Sequence, residues 1–139
     1  MTGATVADEE RSLNLLLGWA PEKPPFPTSL VERAERALAT PLNQLSVEQI
    51  RLLVGQQFGL AYVIPKALEI LEADPFADGD LYEGDLLVSC LSVSADFWAK
   101  NPNLWVRLNG VLTDIDRTIE TINKHRSEFV SRNPFGAAS

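Results

Sequence analysis

The chain contains one cysteine, one histidine and one methionine among its 139 residues. A lone Cys90 excludes an intramolecular disulfide, and a thiolate zinc site would need ligands the sequence does not hold. A reducing compartment is the natural setting. With His125 as the sole imidazole, no Ser-His-Asp or Cys-His motif is recognisable, no helix presents HExxH, and no glycine-rich loop resembles a phosphate cradle. No catalytic residue and no cofactor are expected, so the default reading is not an enzyme. The N-terminus is polar and acidic where a signal peptide carries basic charge, and its apolar stretch Leu13 to Leu17 is interrupted by Asn14. No segment approaches the roughly 18 apolar residues of a membrane-spanning helix. The expected chain is soluble and cytoplasmic, with no membrane partner.

Basic residues are also scarce: 12 Lys and Arg stand against 19 Asp and Glu, giving a net charge of -7. Phosphate contacts are made chiefly by Lys and Arg, so nucleic acid is disfavoured as a partner and a basic protein is favoured. The deficit is local. Between Ala67 and Ala99 there is no Lys or Arg, while Glu69, Glu72, Asp74, Asp78, Asp80, Glu83, Asp85 and Asp96 contribute eight negative charges. The remainder of the chain therefore sums to +1, and the acidity is a patch.

Strand-like alternation is nearly absent as well, whereas apolar residues recur at steps of three and four. This predicts an all-α, single-domain helical bundle of about six helices with a long C-terminal helix. Residues 1–11 and 131–139 offer little to bury and read as flexible ends of a helical domain over 12–130. A short helix is expected from Ser12 to Trp19. Pro21, Pro24, Pro25 and Pro27 then make an extended connector. Thr28 or Ser29 caps a helix with Leu30, Val31, Ala34, Ala37 and Leu38 on one face, ending before Pro41. Ser46 and Gln49 have the spacing of a capping box, ahead of Val47, Ile50, Val54 and Phe58. Gly55 and Gly59 allow a close crossing or a break. Pro65 suits the first turn of a helix carrying Ile64, Ala67, Leu68 and Leu71, stopped by Asp74-Pro75. Leu86, Leu87, Cys90 and Leu91 mark another short helix, and Ser94 caps a turn with Phe97 and Trp98. Asn101-Pro102 reads as N-cap and N1 of the last helix, whose stripe is Leu104, Leu108, Val111, Leu112, Ile115, Ile119, Ile122 and Phe129. Asn109-Gly110 is a hairpin dipeptide, but its flanks have helical period. A helix with a weak point at Gly110 is expected.

Three readings compete for the acidic stretch. Centring an EF-hand loop on Gly79 puts Asp74, Asp78, Asp80 and Asp85 at positions one, five, seven and twelve, but position three becomes Phe76 and the last ligand is not Glu. No metal site is expected. In the second reading the carboxylates solvate a loop and cap helices, as Asp85 does at the start of the Leu86 helix. In the third they form an electrostatic docking face for a cationic protein, with Tyr82 as an aromatic anchor. Elsewhere, Cys90 lies between Leu87 and Leu91 and reads as core. His125 reads as a partly exposed structural residue, and Phe97, Trp98 and Trp105 as rings locking two helices at the Asn101-Pro102 corner.

The runs RLLVGQQFGLAYVIPKALEIL (Arg51 to Leu71), DPFADGDLYEGDLL (Asp74 to Leu87) and FWAKNPNLWVRL (Phe97 to Leu108) together resemble an α-helical family of immunity proteins of bacterial contact-dependent growth inhibition systems. The resemblance covers about the middle and C-terminal two-thirds of the chain. It implies a small cytoplasmic protein that binds the toxic C-terminal domain of a delivered effector, often a nuclease, and blocks it. Asp80, Tyr82, Gly84 and Asp85 occupy family-like motif positions. Residues shared among proteins that face different toxins are expected to be structural. The acidic patch fits independently, because nuclease domains are basic in order to hold phosphates.

The reading is therefore a stoichiometric antitoxin, monomeric before it meets its toxin, with Glu69, Glu72, Asp78, Asp80, Tyr82 and Glu83 as the expected toxin contacts. The alternative is a helical adaptor for a basic cellular protein. A third class, a hydrolase with a carboxylate metal site over Asp74 to Asp85, ranks last.

Overall fold

The apolar stripes converge on two helices near the middle of the chain. The computed structural model describes residues 6–19 and 29–136. The proline connector, the Thr28 cap and residues 137–139 lie outside that range. Eight α-helices occur among the described residues: α1 (Val6–Glu9), α2 (Leu13–Leu17), α3 (Ser29–Leu38), α4 (Val47–Gly55), α5 (Leu60–Ala73), α6 (Asp85–Leu91), α7 (Ala95–Lys100) and α8 (Pro102–Ser131). A short 3-10 turn, Leu42–Gln44, precedes α4, and no strand occurs among them. The fold is all-α, with two more helices than expected.

The core is built from α4 and α5. Ile50, Leu53 and Val54 of α4 and Val63, Ile64, Ala67, Leu68 and Leu71 of α5 are buried together with Leu86, Leu87 and Cys90 of α6 and Leu108 and Val111 of α8. Burial pushes the Cys90 thiol up to about 12, so it behaves as a small hydrophobe. The start of α4 is fixed by the expected capping box. Ser46 Oγ accepts the Gln49 amide at 3.1 Å, and Gln49 Oε1 accepts the Ser46 amide at 3.0 Å.

The sequence expectation misplaces the start of α5. The helix begins five residues before Pro65, which lies inside it. The ring removes one intrahelical amide, but Val63 and Ile64 are fully buried, and their burial holds the first turns in place. What sets the start is Gly59, whose φ of +59° is left-handed and whose missing Cβ would lie 2.6 Å from Leu13 Cδ2. Glycine takes this backbone without strain and leaves room for this close an approach of the Leu13 side chain.

Residues 6–11, expected to be a flexible end, contain α1 and two ties to the body. Lys66 Nζ meets Glu9 Oε2 at 2.7 Å, and the Arg11 carbonyl accepts the Leu42 amide at 3.0 Å. At the other end, Gly110 does not break α8, which runs unbroken through it. Leu104, Leu108, Val111, Leu112 and Ile115 pack on the core, but every residue from Asp116 to Arg132 is exposed. About 25 Å of helix, at 1.5 Å per residue, projects beyond the body. His125 sits on this projection, 3.8 Å from Glu128 with its side chain 71% exposed; it is more exposed than its position in the stripe suggests.

Candidate functional site

The loop between α5 and α6 carries four of the eight carboxylates of the acidic patch, and it is organised from below by one buried carboxylate. Asp85, 1% exposed, is the first residue of α6. Its Oδ1 accepts the Gly79 amide at 2.6 Å, and its Oδ2 accepts the amides of Leu81 at 2.9 Å and Tyr82 at 3.4 Å. Arg51 of α4 completes the arrangement. Its Nε lies 3.6 Å from Asp85 Oδ2 and donates to the Gly79 carbonyl at 2.8 Å. A Cβ on Gly79 would stand 2.9 Å from Arg51 Cδ, so the glycine is what lets the arginine cross beneath the loop. Asp85 is thus more than a helix-dipole residue. Burial pushes its carboxyl up, but the three amides and Arg51 outweigh burial and hold it below the ordinary 3.8.

The upper surface follows from this scaffold. Asp78 Oδ1 accepts the Asp80 amide at 2.6 Å, an Asx turn that supports the left-handed Asp80 at φ 84°. Gly84, at φ 86°, returns the chain to α6 while its amide donates to the Phe76 carbonyl at 3.1 Å. Asp78, Asp80, Tyr82 and Glu83 are consequently exposed together on one short loop. Phe76 and Leu81 of the same loop are exposed as well, at 53% and 64%. The sequence reading did not select these two apolar residues. The signal available for Leu81 is its place among acidic residues with no helical period.

Glu69 and Glu72 are placed differently, near the end of α5 beside Arg107 of α8. Arg107 grips Glu72 through Nε at 3.2 Å and Nη2 at 2.6 Å. This hydrogen bonding holds the Glu72 carboxyl below the ordinary 4.5, and Glu72, with Glu69 in support, raises Arg107. Arginines distant in sequence therefore neutralise Asp85 and Glu72, and among the described residues the other six of the eight carboxylates in the window have no arginine salt bridge. Among the described residues, no three His, Cys, Asp or Glu side chains converge as a metal-holding group, and no helix is long and apolar enough to cross a membrane.

A pH dependence follows from the two depressed carboxyls. Between the folded and ordinary values the unfolded chain binds more protons, so stability rises with pH there. The contribution is complete above the ordinary 3.8 and 4.5 and is lost as pH falls through the lower folded values. Urea unfolding at a series of pH values is expected to show a flat stability near neutrality and a steep fall below about pH 4. A fall already under way at pH 6 would mean other groups dominate.

A family model described as CDI immunity proteins matches residues 18–108. The match contains Arg51, the whole α5–α6 loop, Asp85 and Arg107, and it ends before the projecting half of α8. No curated protein and no solved structure matches the chain.

Proposed function

The chain belongs to the CDI immunity proteins, and from that footing we propose that it neutralises the toxic domain of its cognate effector by stoichiometric occlusion through the acidic loop face. The toxin on this reading is a basic nuclease domain, met in the cytoplasm and blocked without turnover by the helical unit over 12–130. The observation that carries the proposal is the exposure of Asp78, Asp80, Tyr82 and Glu83 on a loop held rigid by Asp85 and Arg51. A prearranged surface loses little conformational entropy on binding. Focused negative potential accelerates encounter with a phosphate-binding cleft and competes with its substrate there. Tyr82 and Leu81 supply contact area that charge alone does not. Glu69 and Glu72 extend the face toward α8, with Glu72 weakened by its bond to Arg107.

The test is bacterial growth on inducing the toxic domain encoded with this chain, with and without the chain expressed alongside. Rescue accompanied by a copurifying complex is the expected result. Growth arrest at ample expression of the folded chain would break the pairing.

A further inference from the structure

The apolar stripe of α8 does not stop where the body stops. Leu108, Leu112, Ile115, Ile119, Ile122 and Phe129 recur at alternating steps of four and three, with Arg126 filling the remaining seam position. This is the heptad pattern of a two-stranded coiled coil. Its first part packs on the core, whereas Ile119, Ile122 and Phe129 are 48%, 57% and 72% exposed. The seam also leads out of an apolar pocket of about 270 Å³, lined by Leu91, Val93, Trp98, Trp105, Leu108 and Leu112 among others.

We propose that the projecting half of α8 pairs with the same helix of a second copy, antiparallel, to form a two-fold dimer. Charge chooses this occupant and this direction. In the heptad set by that seam, the charges that border or enter it are Asp116 in the first half of the projection and Arg126 and Arg132 in the second. An antiparallel pair sets each acidic half against a basic one. A parallel pair in register sets like against like and stacks Arg126 on its own copy within the seam. Centring the two-fold axis between Glu120 and Thr121 matches every seam position from Leu112 to Phe129. Ile119 faces the partner's Ile122, and Leu112 faces the partner's Phe129. Arg126 faces the partner's Ile115 beside the partner's Asp116. Neither Asp116 nor Arg126 forms an ion pair among the described residues.

The same register brings the partner's Phe129 to the mouth of the apolar pocket, so each copy supplies both a ring and a recess for one. The exposed parts of Ile119, Ile122 and Phe129 on two copies make an interface of the small class that holds weak, reversible complexes. This dimer departs from the monomer expected from the sequence, and it stands independently of the toxin-facing loop. From Leu112 onward the seam lies on α8 beyond the family-matched residues.

Sedimentation velocity of the full chain from low to high micromolar concentration is expected to show a reversible monomer–dimer equilibrium. The pair Ile119→Asp and Ile122→Asp should abolish it without loss of helical circular dichroism, because both residues are exposed in the monomer. Two charge variants separate this contact from general stickiness. One carries Asp116→Lys, the other Arg126→Glu and Arg132→Glu. Each alone should be monomeric, and their equimolar mixture should dimerise. A spin label on Thr121→Cys should lie close to its copy, and one on Thr113→Cys should be offset from its own by about 20 Å more along the helix axis. Buried Cys90 stays unlabelled. A wild-type chain monomeric throughout, a dimer indifferent to the Ile119 and Ile122 changes, or equally short distances at both labels would overturn the proposal.

Discussion

Asp85→Ala is expected to lower the unfolding free energy by about 3–5 kcal/mol, measured by urea denaturation at neutral pH. The substitution leaves the Gly79, Leu81 and Tyr82 amides without their acceptor and Arg51, only 11% exposed in its side chain, without its counter-charge. Against a total stability of about 5–15 kcal/mol for a domain, such a loss removes a large share of the folded margin. Asp85→Asn is expected to be nearly as costly, because its amide nitrogen would face backbone donors where the carboxylate accepts on both oxygens. Removing Arg51 as well does not restore stability, since the loop amides still lack an acceptor. Glu72→Ala is the control. Its bond to Arg107 has the better geometry, yet both side chains are more than a third exposed, and its loss should cost no more than about 1 kcal/mol. Equal effects of the two changes would show that burial does not govern these pairs.

The contrast between the two pairs also separates what was legible in the sequence from what was not. The Ser46 capping box, the Pro102 start of α8 and the stripe on α5 are encoded within one or two turns, and each is present in the structure. The partners of Asp85 and Glu72 are not local. Arg51 reaches its loop across 28 residues and Arg107 its glutamate across 35, so a window free of basic residues in the sequence is not free of them in space. Pro65 misled for a related reason. Proline marks a first turn by local preference, but here the burial of Val63 and Ile64 extends the helix past it. On α8 the full stripe to Phe129 was readable. Periodicity says which residues share a face, and only the extent of the body decides where that face runs out into solvent.

Asp78→Asn, Asp80→Asn and Glu83→Lys together are expected to slow association with the cognate toxin domain by about 10- to 100-fold at low salt. Asparagine at 78 keeps the oxygen that accepts the Asp80 amide, and at 80 it tolerates the left-handed backbone. The turn therefore survives while its charge is removed, and unchanged urea stability of the variant would confirm this. The wild-type association rate should fall steeply with added salt, whereas that of the variant should be nearly flat, because screening acts on the exposed charges removed. Tyr82→Ala probes the other component of the same face. Its ring is 51% exposed and, if it is an anchor that the toxin covers, its truncation should appear in the dissociation rate, with a cost of about 2 kcal/mol. An association rate unmoved by the triple change would sink the acidic loop as the docking face, and immunity would then act through a different surface of the same fold.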